Sequence, residues 1–423
     1  MFRVCTQDIC SVRLLAKSCS KRSSSVSTMY QLIGGELSPY TAKVRSYLRY
    51  KKIPFEPVQA TADTYARFIK PKVGWSVIPV LVTPDKCVIQ DSTEIISYLE
   101  KRHPNPTILP QTPRQKIVAS LIELFSDEWM VQPAMHYRWS FKENMPFVQE
   151  EFGRIAFPSE SAKNRSEIAQ MVYKKFKGML PTLGITEKTF SAIEKSWEST
   201  LDDMSRHFDK HPYFLGGQPC IGDFAMGGMM YAHLFRDPMP GFLMKTRAPL
   251  VAAWTEQMNG HLKHANKLHL HEVDANGWII QEVLPQEKRE FLPNDEIPDT
   301  LLPILKRFFT EFGPVLLNTK KHLTVYIEEN VTPNKTKLPR TLGKNPYTIG
   351  DATEMRDMFP FNVWMWQHVV DLYQSLPSAD QASVLEFVKQ FPHGSDIVAA
   401  DLSNCRVTRI SNFLQGAQKQ SKL

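Results

Sequence analysis

Residues 30–45 read YQLIGGELSPYTAKVR, and this stretch decides the fold of the N-terminal part of the chain. The apolar run at its start predicts a short strand, and the Gly34-Gly35 pair predicts a turn. Ser38-Pro39 then predicts the start of a helix, because serine is a preferred N-cap and proline suits the first helical position. The segment therefore predicts a strand, a turn and a helix in immediate succession.

Strands and helices continue to alternate up to about residue 105. The pattern predicts a strand at 53–58, a helix at 61–69, strands at 77–82 and 86–90, and a helix over 91–100. The order β-α-β-α-β-β-α predicts a thioredoxin-like domain over residues 29–105. Pro79 removes a backbone donor from its strand, so we expect a cis Ile78–Pro79 peptide. The backbone of Ile78 would then lie near the N-termini of the Ser38 and Asp91 helices, and two converging helix N-termini favour an anion.

Three motifs in this order, SPYTAKVR at 38–45, IPVL at 78–81 and DS at 91–92, resemble the N-terminal domain of the glutathione S-transferase superfamily. The resemblance implies that the Ser38 hydroxyl activates the sulfur of glutathione. It also implies that Ile78, before the cis Pro79, pairs with the cysteinyl backbone, and that Asp91 and Ser92 hold the γ-glutamyl group.

Two features of these motifs qualify the resemblance. Asp91 is a departure, because glutamate or glutamine is commoner before that serine in the family. Serine at position 38 disfavours mixed-disulfide chemistry, since a hydroxyl takes no part in thiol exchange. The alternative is that Ser38 is only an N-cap and Asp91 only one half of a capping box.

Residues 112–268 show helical periodicity, with helices predicted at 115–127, 161–177, 190–210, 222–235 and 250–260. The resemblance implies an all-α domain of the glutathione-transferase type, with the substrate pocket between the two domains. Within it, residues 215–224 resemble the family's buried helix start. Cys220 stands where the family has serine or threonine, and we interpret Asp223 as a structural residue of that helix start.

Residues 280–423 form a mostly helical C-terminal extension that the two-domain family pattern does not cover. Helices are predicted at 298–311, 314–328, 357–376 and 379–390, with a strand at 405–410. The spacing of residues 342–351 repeats that of 215–223, which favours a second loop-to-helix start. We assign no chemistry to this extension. The fold class is thus α+β: a thioredoxin-like domain, an all-α domain and a mostly helical extension.

Most of the net charge lies in residues 1–28. The chain has 51 lysines and arginines against 44 acidic residues, a charge of +7, and residues 1–28 hold five basic side chains and one acid. This segment is also serine-rich and amphipathic, which is typical of a mitochondrial presequence, with a disordered basic tail as the alternative. We therefore expect the mitochondrial matrix, or otherwise the cytoplasm. The nearly balanced remainder does not favour a nucleic-acid partner, and no apolar run of about 18 residues predicts a membrane span.

The leading functional hypothesis is an enzyme that transfers glutathione to a small hydrophobic electrophile. The alternative is a non-catalytic scaffold or assembly protein of an organelle, built on the same fold. No metal is expected, because Cys87, Cys220 and Cys405 form no C-x-x-C pair and because His261 and His264 fit a solvated helix end better than a metal site. Glutathione is the expected co-substrate, and a homodimer stays an open alternative.

Overall fold

The computed structural model describes residues 29–260, 269–283, 290–410 and 413–416. The segment predicted to be a presequence, 1–28, and the histidines at 261 and 264 lie outside the described residues. Within the described ranges, no helix combines the length and apolarity that a bilayer span requires.

The N-terminal domain has the predicted thioredoxin-like order. Its elements are β1 (Tyr30–Gly34), α1 (Pro39–Tyr50), β2 (Phe55–Gln59), α2 (Ala62–Thr64), a π-helical turn (Tyr65–Ile69), α3 (Lys70–Val73), β3 (Val80–Val82), β4 (Val88–Gln90) and α4 (Ser92–Arg102). The sheet order is β2-β1-β3-β4, with β1 parallel to β2 and the other pairs antiparallel. The Ile78–Pro79 peptide is cis, as predicted, and β3 begins only after it.

Eight α-helices make up most of the second domain within residues 113–258. They are α5 (Pro113–Leu124), α6 (Val131–Ser140), α7 (Met145–Ala156), α8 (Ala162–Lys177), α9 (Phe190–Phe208), α10 (Ile221–Met229), α11 (Pro238–Arg247) and α12 (Pro249–Met258). Two π-helical segments, Phe125–Trp129 and Met230–Phe235, continue α5 and α10. The sequence prediction missed α6, α7 and α11. Helix α6 is buried on nearly every side, so it shows no one-sided apolar stripe, and prolines near the starts of α7 and α11 resemble a linker.

Helix α10 is buried along its whole length. Its first turn is held by the fully buried Asp223, whose two carboxylate oxygens accept from the backbone N–H groups of Cys220 (2.9 Å) and Phe214 (3.0 Å). Farther along, a Cβ on Gly228 would lie 2.5 Å from the carbonyl oxygen of Pro39, so only glycine lets α10 approach α1 this closely. Asp223 is therefore structural, as predicted, and α10 fixes the position of α1.

The C-terminal extension packs onto the helical domain. A ribbon of β5 (His269–Val273) and β6 (Ile279–Val283) begins before residue 280, the predicted start of the extension. The extension then contains α13 (Leu302–Arg307), a π-helical segment (Phe308–Phe312), α14 (Gly313–Asn330), the ribbon β7 (Lys344–Ile349) and β8 (Ala352–Asp357), α15 (Pro360–Gln374), α16 (Ser378–Val388), α17 (Gly394–Val398), and the ribbon β9 (Val407–Ile410) and β10 (Phe413–Gly416). Ring contacts such as Trp129 on Phe312, with centroids 5.4 Å apart, join its core to that of the helical domain.

Two predictions for the extension are wrong. The helices at 298–311 and 314–328 are not split at Gly313-Pro314, because the π-helical segment before α14 changes the hydrogen-bond spacing and leaves the proline at a helix start. The spacing shared by 215–223 and 342–351 does not mark a second helix start, because residues 344–357 form the β7–β8 ribbon.

Candidate functional site

A cavity of about 720 Å³ lies where the N-terminal domain, the helical domain and the extension meet, and we call it the junction cavity. The N-terminal domain lines it with the segment around the cis proline and with the start of α4. The helical domain adds the end of α5 and the start of α6. The extension closes a third side with residues of the 337–340 loop, β8, α15 and the β9–β10 ribbon. A cavity of this size lies within the range of small-molecule sites in proteins.

Four of the five predicted site residues line this cavity together: Ile78, Pro79, Asp91 and Ser92. Ser38 does not belong to the lining, although Tyr40, in the same first turn of α1, does. The half-buried Ser38 caps α1, and its Oγ accepts from the backbone N–H of Thr41 at 3.2 Å. A hydroxyl that accepts one hydrogen bond keeps its own proton for donation.

Asp91 combines a capping role with an unusual backbone conformation. Its Oδ1 accepts from the backbone N–H of Thr93 at 2.9 Å, which caps α4. Its φ of 91° and ψ of 134° lie in a region that non-glycine residues rarely occupy. Such strain costs about 1–3 kcal/mol, so it persists only where the surrounding structure holds it in place, and it is found most often at functional sites. This conformation supports a role for the start of α4 in binding.

A buried ionic cluster fixes the helices beneath the cavity. The fully buried Lys43 donates to Glu123 at 2.7 Å, to Asp127 at 2.6 Å and to the hydroxyl of Thr93 at 3.2 Å. The cluster thus connects α1, α4 and the end of α5. Burial lowers the pKa of Lys43, but the two carboxylates outweigh it and the net shift is upward. Burial raises the pKa of Asp127, and Lys43 counteracts that shift only in part.

The π-helical segment Phe125–Trp129 brings two carboxyl groups, Asp127 and Glu128, to the cavity. Glu128 lines it, and burial raises the pKa of this group well above its ordinary value, with a further contribution from the neighbouring Asp127. The backbone carbonyl of Asp127 in the same segment accepts from the Tyr40 hydroxyl at 2.9 Å. Local π-helical turns are frequent at functional sites.

The sequence prediction missed the contribution of the extension. Among the described residues that line the cavity, the basic ones are Lys337, Arg340, Arg356 and Arg409, and all four belong to the extension. The two other walls provide the acidic ones, Asp91, Asp127 and Glu128. The lining is therefore polarised: its acidic residues come from the N-terminal and helical domains, and its basic residues come from the extension.

Two of these arginines are held firmly. Arg356 is buried, donates to the carbonyl oxygen of Leu183 at 2.9 Å and lies 5.2 Å from the centroid of the Trp129 ring. Burial lowers its pKa to about 10. Arg409 forms an ion pair with Asp91 at 3.2 Å. A strand at 405–410 was predicted, but no local pattern links it to a residue more than 300 positions earlier.

The structure shows what the cavity lacks as well. Among the residues that it describes, no group of three histidines, cysteines or carboxylates is arranged to hold a metal ion. Cys220 and Cys405 are buried free thiols, and the Cys87 thiol donates to Asp85 at 3.6 Å.

Comparison with known proteins agrees with the N-terminal motifs. Residues 32–107 match the family model of the glutathione S-transferase N-terminal domain. Glutathione S-transferase U17 of Arabidopsis thaliana is 31% identical over 105 residues, which cover 24% of this chain and 46% of the relative. Glutathione S-transferase U4 of the same plant is 29% identical over 99 residues, covering 23% of this chain and 44% of the relative. The chain thus spans slightly less than half the length of these curated relatives.

Among solved structures, a glutathione S-transferase from Methylobacterium radiotolerans, in complex with glutathione sulfonate, is similar to this chain. It is 20% identical, covers 57% of this chain and 93% of its own, and has a TM-score of 0.34.

Proposed function

From the premise that the chain carries an N-terminal domain of the glutathione S-transferase superfamily, we propose that it binds glutathione in the junction cavity and transfers it to a small hydrophobic electrophile. The observation that carries the proposal is the meeting of Ile78, Pro79, Asp91 and Ser92 on one wall of a single cavity. These residues are separated by up to 14 positions in the sequence, and only the folded domain brings them together.

The proposed chemistry uses the N-terminus of α1. The Ser38 hydroxyl would donate a hydrogen bond to the sulfur of glutathione, and the partial positive charge at the start of a 12-residue helix would also favour the thiolate. The thiol loses its proton to solvent, and the sulfur then forms a bond with the electrophilic carbon. A leaving group departs with its electron pair, or a double bond takes up a proton from water. A lowered thiol pKa and two reactants held together account for such a rate enhancement.

The remaining lining fits an apolar acceptor. Val131 and Leu183 of the helical domain and Phe359, Phe361 and Met365 of the extension face the same cavity. Ligand sites are typically apolar with a few polar groups that set orientation, and the cavity combines these apolar side chains with charged residues in the same lining.

Calorimetry of the full chain with glutathione tests the proposal. We expect heat of binding at millimolar glutathione, a loss of binding in Ser92→Ala, and retained binding in Ser38→Ala without the ultraviolet absorption of a bound thiolate. Ser161→Ala is the matched control, because Ser161 caps α8 in the same way, accepting from Asn164 N–H at 3.3 Å, and lies outside the cavity lining. No heat with the wild-type chain would refute the proposal.

A second candidate is a scaffold that binds glutathione or a similar ligand without turnover. The closure of the cavity by the extension favours it, because the resemblance implies a pocket bounded by two domains only. The two candidates separate in a conjugation assay with a panel of aromatic electrophiles. Turnover that Ser38→Ala abolishes identifies the enzyme, whereas binding without turnover identifies the scaffold. Light scattering of the same samples decides whether the protein is a homodimer.

We also propose that residues 1–28 direct the protein to the mitochondrial matrix, since they are basic, serine-rich and almost free of acids. A fusion of residues 1–28 to a fluorescent reporter should enter mitochondria, and replacement of its five basic residues by glutamine should prevent entry. A reporter that stays in the cytosol would contradict this proposal.

A further inference from the structure

We propose that Arg409, from the C-terminal extension, is a glutathione-binding residue that holds the α-carboxylate of the γ-glutamyl group while Asp91 holds the ammonium group on the same carbon. The inference rests on the proposed function, and it assigns the extension a direct part in ligand binding. It starts from one ion pair in the wall of the junction cavity.

The Arg409 guanidinium contacts both the N-terminal domain and helix α15 of the extension. Its Nη1 lies 3.2 Å from Oδ2 of Asp91 and 3.4 Å from the backbone carbonyl oxygen of Gln90, and its Nη2 donates to the Gln90 side chain. The face of the guanidinium lies 5.2 Å from the centroid of the Trp364 ring. The side chains of Arg409 and Asp91 are only 16% and 12% exposed, so the pair is largely shielded from bulk water.

The pair matches the charges of a free amino-acid head group. The γ-glutamyl end of glutathione carries an ammonium and a carboxylate on one carbon, a dipole of adjacent opposite charges. A guanidinium binds a carboxylate through parallel N–H groups, and a carboxylate accepts from an ammonium. When the zwitterion binds, each protein charge keeps a partner of opposite sign, so neither is left buried and unpaired. Ser92, at the start of the 11-residue α4, lies beside this pair.

The other basic residues of the cavity fit this role less well. Lys337 and Arg340 are exposed, and Arg340 lies against the Trp75 ring at 5.3 Å. Arg356 is buried and donates to the carbonyl of Leu183 in the helical domain. Arg409, in contrast, forms an ion pair with the predicted γ-glutamyl residue Asp91.

The β9–β10 ribbon carries Arg409 to this position. The ribbon is held by the loop at residues 336–338, since the Leu338 N–H donates to the Leu414 carbonyl at 2.8 Å and the Gly416 N–H donates to the Thr336 carbonyl at 3.0 Å. Leu338 and Leu414 also line the junction cavity. The extension therefore positions the guanidinium at the proposed γ-glutamyl end of the cavity, where the N-terminal domain contributes no basic residue to the described lining.

A double-mutant cycle between protein and ligand tests the inference. The full-length wild type, Arg409→Gln and Arg406→Gln are titrated by calorimetry with glutathione and with 4-aminobutyryl-cysteinyl-glycine, which lacks the α-carboxylate. Arg406 is the matched control. It is three residues away on the same segment and donates two hydrogen bonds to Asp371, at 2.5 and 2.8 Å, outside the cavity lining.

We expect Arg409→Gln to weaken glutathione binding by about tenfold or more, as for the loss of a charge-assisted hydrogen bond, and Arg406→Gln to change it less than about twofold. The wild type should bind the analogue about tenfold more weakly than glutathione, whereas Arg409→Gln should bind the two alike.

Four outcomes would overturn the inference. Arg409→Gln that binds glutathione as tightly as the wild type, or more tightly, makes Arg409 a bystander or a competitor, with the proposed function intact. If Arg406→Gln weakens glutathione binding as much as Arg409→Gln does, the effect arises from a disturbed fold of the ribbon and not from a contact of Arg409 with the ligand. A wild type that binds both ligands alike shows that the α-carboxylate is not recognised. A wild type that binds neither ligand overturns the proposed function as well, which distinguishes that failure from the other three.

Discussion

Replacement of Lys43 by methionine should destabilise the protein strongly and in a pH-dependent way. Lys43 is fully buried and forms ion pairs with Glu123 at 2.7 Å and Asp127 at 2.6 Å. Methionine has a similar volume, so little packing is lost. Removal of one partner from a buried ionic cluster costs about 3–5 kcal/mol, because it leaves uncompensated charge in a medium of low polarity.

The pH dependence follows from the direction of the Asp127 shift. Burial raises the pKa of Asp127, and Lys43 lowers it. In Lys43→Met this pKa rises further, so Asp127 stays protonated to a higher pH in the native state than in the unfolded state. Such a group destabilises the native state as pH rises from the unfolded pKa to the native pKa, by about 1.36 kcal/mol for each unit between them. The loss should therefore be smaller at pH 5 than at pH 8.

Urea denaturation followed by circular dichroism at these two pH values measures the effect. Lys389→Met is the control, because Lys389 pairs with Glu386 at 2.8 Å on the surface, where both side chains are more than 60% exposed. We expect the control to change stability by less than about 0.5 kcal/mol. A loss below about 1 kcal/mol at pH 8 for Lys43→Met, or an equal loss at both pH values, would refute the reasoning.

Three further predictions concern packing and buried ionisable groups. Gly228→Ala should destabilise the protein by about 1–3 kcal/mol, because the added Cβ would lie 2.5 Å from the backbone of α1. Gly313→Ala should stabilise it by about 0.5–1 kcal/mol, because a Cβ there has no contact under 3.9 Å. Melting temperatures that change in the same direction in both variants would contradict this prediction. As pH rises from 5 to 8, Glu128→Gln should become more stable relative to the wild type, because burial raises the pKa of Glu128 and its deprotonation destabilises the native state. A difference in melting temperature that stays constant over this range would rule this out. Burial lowers the pKa of His207 to about 4, so below about pH 6.5 this histidine is protonated in the unfolded state but stays neutral in the native state. From pH 7 to pH 5 the free energy of unfolding of His207→Gln should therefore fall by about 2 kcal/mol less than that of the wild type. Equal losses of stability in urea titrations would disprove this prediction.

Local signals in the sequence predicted the N-terminal domain well. Ser38 and Pro39 act within one turn of the helix that they start, and Pro79 alters the peptide bond that precedes it, so neighbouring residues suffice to predict α1 and the cis peptide. The clustering of Ile78, Pro79, Asp91 and Ser92 followed from the order of strands and helices. The role of Ser38 towards the sulfur of glutathione stays a prediction, because the structure places this residue outside the cavity lining.

Other features depend on contacts that no short stretch of sequence encodes. Helix α6 is buried on nearly every side, so its sequence has no separate polar face, which is the feature by which an amphipathic helix is recognised. Residues 342–351 have the spacing of a helix start, yet β8 pairs with β7 and turns them into a ribbon. Arg409 contacts Gln90 across 319 positions, and its part in the cavity depends on the packing of the whole extension.

The junction cavity also bears on how the protein is made. Its first wall is complete once residue 93 has been synthesised, but its third wall needs residue 414. Ribosomes add about 5–20 residues per second, and domains generally fold as units in the order of synthesis. The nascent thioredoxin-like domain therefore waits for roughly 15–60 s before Arg409 can reach Gln90, a contact that spans 319 positions. During that interval the start of α4 lacks its contact with Arg409, and under the proposed function the complete glutathione site forms only after the extension has docked.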